Sequence, residues 1–126
     1  MIAPCAVGGV IDVEVARSIR AWAVCGAANN VLASPEAEDA LIARGILAVP
    51  DVVASAGAVI EGIGRTVMQL ADRAPLIDAL GATARRILEE SRTTGARPGA
   101  IAHRIASARI AARRAERAES FSRGHP

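Results

Sequence analysis

The sequence predicts an α/β fold, with about three short strands of a parallel sheet followed by three largely α-helical segments. Two observations carry that class. Residues 1–50 alternate short continuous apolar runs with helix-start signals, in the order strand, helix, strand, helix, strand. Such runs between helices imply a parallel sheet covered on both faces. After Asp51 the apolar residues recur every three or four positions, which is the helical period.

Met1 to Pro4 reads as the end of a strand. Asp12 suits the N-cap of a helix over Val13 to Ile19, with Glu14 in its first turn. Trp22 to Cys25 has strand length and stops at Gly26. Ser34-Pro35-Glu36 is a strong helix start, with a capping hydroxyl, Pro at the first helical position and an acid in the first turn. Arg44-Gly45 ends that helix. Ile46 to Val49 is the third strand, closed by Pro50-Asp51. Val59, Ile60, Ile63, Val67 and Leu70 form the first apolar stripe, which Pro75 breaks. Leu76, Ile77, Leu80, Thr83, Ala84, Ile87 and Leu88 form the second, ending near Gly95. Pro98 opens the third, with Ile101, Ile105, Ala108 and Ala112 on one face. Residues 1–126 are therefore expected to be one partial domain. It comprises a β/α portion (1–55), a helical portion (56–118) and a frayed tail (119–126). Three strands are few for a doubly covered parallel sheet, so a larger fold or a partner is expected.

Composition narrows the function. Hydrophobic residues make up 52% of the 126, but 29 of those 65 are Ala. No apolar run approaches the ~18 to 20 residues of a membrane span. With no Tyr, one Phe and one Trp, a base-stacking platform is not expected. Lys is absent and all 15 cations are Arg, so no Lys within this chain acts as nucleophile, base or phosphate ligand. The net charge of +2 is a near balance, so a nucleic-acid partner is not expected. Five Arg between 104 and 117 could bind anions, RNA or a partner, but Glu116 among them and Glu119 beside them favour a solvated face or a subunit contact. Cys5 and Cys25 form no CxxC and lie far from His103 and His125, so no metal site is expected. Two buried, reduced thiols are the simpler reading. No secretory signal precedes residue 20, and a cytoplasmic location is expected.

The fingerprint G-x-G-x-x-G is absent. Gly62-Ile63-Gly64 lies inside a helical stripe and reads as packing glycines. Gly8-Gly9 could admit a ligand to backbone amides or form a plain turn. Asn29 and Asn30 could hydrogen-bond an uncharged polar ligand or occupy left-handed turn positions. Pro50 to Ile60 follows the third strand. Three loops at the C-terminal ends of parallel strands open on the side where this architecture binds ligands.

Those loops together, Ala3-Pro4-Cys5-Ala6-Val7-Gly8-Gly9-Val10-Ile11, Gly26-Ala27-Ala28-Asn29-Asn30, Arg44-Gly45-Ile46-Leu47 and Pro50-Asp51 to Ile60, resemble the amino acid dehydrogenase family acting on glutamate, leucine, phenylalanine and valine. The likeness is strongest to the phenylalanine, leucine and valine branches. It covers about residues 2–65 well and the helical remainder loosely. The resemblance implies the C-terminal half of a Rossmann-like sheet in an NAD-binding domain. It implies oxidative deamination of an L-amino acid to a 2-oxo acid and ammonia. In the family the glycine fingerprint and the catalytic Lys and Asp belong upstream. This chain is therefore expected to hold no catalytic residue and to be inert alone, completed by a complementing chain or oligomer. By position, Cys5, Ala6 and Val7 would lie along the cofactor's ribose and nicotinamide. Asn29 and Asn30 would sit at its nicotinamide and substrate end. Ser55 stands where the family usually has an Asn that contacts the nicotinamide amide, and Ala58 replaces a usual Gly. Val59 and Gly62 match positions lining the substrate side-chain pocket. They offer no hydrogen bond to a carboxylate, so an apolar amino acid is expected rather than glutamate. A binding or assembly module without chemistry is the alternative.

Overall fold

The computed structural model describes residues 1–67 and 69–123. Its elements are α1 (Val13–Ser18), β1 (Ala23–Val24), α2 (Pro35–Ala43), β2 (Leu47–Ala48), α3 (Asp51–Ala54), α4 (Ala56–Val67), α5 (Ala74–Thr94) and α6 (Pro98–Arg123). β1 and β2 pair in parallel, Ala23 with Leu47 and Val24 with Ala48. The first expected strand is reduced to one parallel bridge between Ile2 and Val24. The Ile2 amide donates to Ala23 O, and the Cys25 amide donates to Ile2 O. Ile2 thus flanks β1 on the side away from β2. A second bridge joins Ile11 to Leu32. The α/β class with a small parallel sheet is the one the sequence predicts.

Local signals place the helix ends. Asp12 Oδ1 accepts the Val15 amide at 2.8 Å and caps α1. Pro35 opens α2 with its fixed φ, and Ser34 is extended there but caps without its side chain. Gly45 and Gly95 follow α2 and α5 at positive φ, +68° and +71°, where an L side chain is strained. Among the described residues the helical portion holds the three expected helices, α4, α5 and α6, and a short helix, α3, precedes them where the chain kinks at Ser55. The Ser55 hydroxyl donates to Asp51 O at 2.7 Å and closes α3. α6 runs to Arg123, past residue 119, where fraying is expected. Residues 124–126, and with them His125, lie outside the described residues.

Two apolar clusters form the core. Ile11, Ala16, Val24, Ala28, Val31, Ala37, Leu41, Ile46 and Ala48 pack around the sheet. Val53, Ile87, Ile101 and Ala102 pack among the helices. Polar contacts from the N-terminus of α6 reach α2. Arg97 donates to Asp39 through two of its three guanidinium nitrogens, Nε to Oδ1 at 2.7 Å and Nη2 to Oδ2 at 2.5 Å. The Gly99 amide donates to Glu38 Oε1 at 2.7 Å.

Two expectations about burial are corrected. Cys5 is exposed and Cys25 half-buried, not two buried thiols. Residues 5–10 lie on the surface, so no layer covers Cys5. The stripe on α4 is amphipathic but largely uncovered, with Val59, Ile63 and Val67 all exposed. Ala108 and Ala112 are exposed as well, because they lie beyond the first turns of α6, where Ile101, Ala102 and Ile105 join the core.

Candidate functional site

The three loops predicted to act together meet at one end of the sheet. The Gly9 amide donates to Asn30 O at 2.6 Å, and the Ala28 amide donates to Pro4 O at 3.1 Å. The Asn30 amide donates to Asp51 Oδ2. The Ser55 hydroxyl reaches Asn29 Oδ1 at 3.4 Å. Loop one is thus bonded to loop two, and loop two to loop three.

Bare backbone makes this meeting possible. A Cβ on Gly26 would stand 1.9 Å from Pro4 O, and one on Gly8 would stand 2.5 Å from Asn29 O. Gly9 lies at φ +69° and Asn30 at φ +51°. Asn tolerates the left-handed region better than most residues. Asn30 therefore fills a turn position, one of its two sequence readings, while both carboxamides remain exposed.

Cys5, Ala6 and Val7 are exposed on the first loop, and the Cys5 thiol donates to Ala3 O at 3.3 Å. Ser55 is half-buried, with its hydroxyl turned back onto Asp51 O. Val59 and Gly62 are exposed on α4, and a Cβ on Gly62 would meet nothing within 4 Å. Gly64, by contrast, is buried, and its Cβ would stand 2.8 Å from Arg73 Cδ. The packing reading of the glycine pair thus holds at Gly64 alone.

A cavity of about 410 Å³ opens beside the loops, lined among others by Gly26, Asn30, Pro50 and Asp51, and on its far wall by Glu38 and Gly99. Neither Cys5–Val7 nor Val59 and Gly62 line it. Glu38 escaped the sequence reading, since Glu is rarely buried. Its one signal is its place beside Ala37, three residues before Leu41, on the packed side of α2. Burial pushes its carboxyl above the usual carboxylate range, and the Gly99 amide opposes that rise. The Asp39 carboxyl is held below its ordinary range, chiefly by the hydrogen bond from Arg97. Among the described residues no three His, Cys, Asp or Glu side chains gather to hold a metal. No helix there is long and apolar enough to cross a membrane.

The chain is similar to known proteins. The chain is 41% identical over 116 residues to a valine dehydrogenase of Streptomyces albus, covering 91% of this chain and 32% of that protein. It is 32% identical over 124 residues to a leucine dehydrogenase of Bacillus subtilis, covering 98% and 34%. The structure of L-tryptophan dehydrogenase from Nostoc punctiforme superposes with a TM-score of 0.72 at 30% identity, over 86% of this chain and 33% of that one. This chain therefore spans about a third of the length of these relatives. The family model for Glutamate/Leucine/Phenylalanine/Valine dehydrogenase matches residues 1–74, and with that match over the sheet and all three loops the chain belongs to this family.

Proposed function

We propose that this chain is the C-terminal part of the cofactor-binding domain of an NAD-dependent L-amino acid dehydrogenase, acting on an apolar amino acid. The observation that supports this best is the convergence of three loops on one end of a parallel sheet, where Gly8 and Gly26 bring backbones too close for any side chain. Ligands bind at that end in open α/β folds.

The residues fit the nicotinamide half of the cofactor. Cys5, Ala6 and Val7 offer an exposed surface for ribose and ring. The carboxamides of Asn29 and Asn30 offer a donor and an acceptor each to an uncharged amide. Ser55 is shorter than the Asn usual there, and its hydroxyl is committed to Asp51 O, so it leaves the nicotinamide amide less well held. When bound, NAD supplies the hydride acceptor. Val59 and Gly62 supply an apolar wall without a partner for a side-chain carboxylate, which disfavours glutamate.

The chain supplies no catalytic Lys, because Lys is absent. The chain is therefore inert alone and acts when completed by a part carrying the phosphate loop and the catalytic Lys and Asp. The test is complementation. The chain is mixed with the part of the Streptomyces albus valine dehydrogenase that it does not match, and amino acid-dependent NAD reduction is followed. Turnover of an apolar amino acid, absent from either part alone, is expected.

A further inference from the structure

The loop contacts run through one residue to which the sequence assigns no role at the site. Asp51 is the first residue of α3 and acts in two directions. Its carboxylate accepts the Asn30 amide, and its carbonyl accepts the Ser55 hydroxyl at 2.7 Å. Asn30 in turn accepts the Gly9 amide at 2.6 Å. The first loop hangs on the second through Asn30, and the second hangs on the third through Asp51. The Ser55 hydroxyl carries one hydrogen, and the 2.7 Å bond to Asp51 O holds it more firmly than the 3.4 Å contact with Asn29 Oδ1. Asp51 thus fixes the hydroxyl that Asn29 leans on.

A purely helical role does not explain this arrangement. α3 has four residues, too few for its dipole to be the main use of a carboxylate. The acceptor oxygen is spent on an amide in another loop, at a residue in the left-handed region. That conformation needs outside support to persist.

We infer that Asp51 is a positioning residue, which couples the three loops and so sets the spacing of Gly9, Asn29, Asn30 and Ser55. The inference rests on the proposed function for its consequence, because Asn29, Asn30 and Ser55 are assigned to the nicotinamide end. The coupling itself stands on the hydrogen bonds alone.

Two measurements separate the coupling from the function. Amide hydrogen exchange of the chain alone is followed residue by residue for the native protein, Asp51→Ala and Asp51→Asn. Loss of a charged acceptor frees its donor to open locally. In Asp51→Ala, exchange at Asn30 and at Gly9 is expected to quicken at least tenfold. The Leu47 and Val49 amides, which donate to Trp22 O and Val24 O, should keep their rates. Asp51→Asn keeps an acceptor oxygen and should restore most of the protection. In the complemented assembly, Asp51→Ala should raise KM for NAD about tenfold with kcat changed less, and Asp51→Asn should recover it. Quickening confined to Asn30, or spread equally to Leu47 and Val49, overturns the coupling. Equal losses in KM and kcat, unrescued by Asn, overturn the positioning role. An assembly that never reduces NAD with the native chain refutes the proposed function, and the exchange rates then decide the coupling by themselves.

Discussion

Gly26→Ala should unfasten the first loop from the sheet. The added Cβ would stand 1.9 Å from Pro4 O, 2.7 Å from Pro4 N and 2.8 Å from Pro4 C. All three atoms are backbone, so no rotamer change relieves the clash. Ordinary C–H···O contacts begin near ~3.3 Å, so the Pro4 peptide must retreat by more than an ångström. That movement breaks the bond from the Ala28 amide to Pro4 O, and it strains the one from the Cys25 amide to Ile2 O. Overpacking of this kind costs about 1–3 kcal/mol, and a lost backbone hydrogen bond about 1 kcal/mol more. The sum, roughly 2–4 kcal/mol, is a large fraction of a stability of about 5–15 kcal/mol. The assay is urea and thermal unfolding followed by circular dichroism, with Gly62→Ala as the control. A Cβ on Gly62 meets nothing within 4 Å, and replacing Gly by Ala inside a helix stabilises by about 0.5–1 kcal/mol. Gly26→Ala should melt roughly 10 °C or more below the native chain, and Gly62→Ala slightly above it. A Gly26→Ala protein that melts with the native chain would refute the close approach of Pro4 to β1.

Glu38→Gln tests the buried carboxyl between α2 and α6. Its folded pKa is raised, so ionised Glu38 destabilises the fold, and the penalty is absent below the unfolded value and grows as pH rises through the folded one. Gln removes the charge and keeps an acceptor for the Gly99 amide. The variant should be more stable than the native chain at neutral pH and no more stable at pH ~3, read from melting curves across pH. The lowered carboxyl of Asp39 has the opposite sign. Asp39→Asn should lose stability above the unfolded Asp value and match the native chain in acid. Ser55→Asn should lower KM for NAD in the complemented assembly, by about tenfold if one good hydrogen bond is gained; an unchanged KM would remove Ser55 from the cofactor site.

Much of the fold was legible because its signals are local. Asp12, Pro35, Gly45, Gly95 and Pro98 each act on the turn beside them, and each sits at a helix end as expected. The loops were legible for a related reason, since small residues stand together in sequence at each strand's end, with two carboxamides in the second loop. What escaped depends on partners distant in sequence. Glu38 is buried because Gly99 reaches it from another helix, and no spacing announces that. The stripe on α4 has the period of a packed helix, yet a period says only that a face is apolar, not that something covers it. The first strand shrank to a bridge at Ile2 because a run of strand propensity becomes a ladder only with a neighbour along its length. Asp51 was visible as the close of the third strand, while its bond to the Asn30 amide follows from a left-handed turn that only the structure places.

The complementation assay bears most directly on the central claim. With the part of the Streptomyces albus valine dehydrogenase that it does not match, this chain should reduce NAD with valine or leucine and not with glutamate, and neither part should do so alone. Reduction of NAD by the chain by itself, or a preference of the assembly for glutamate, would contradict it.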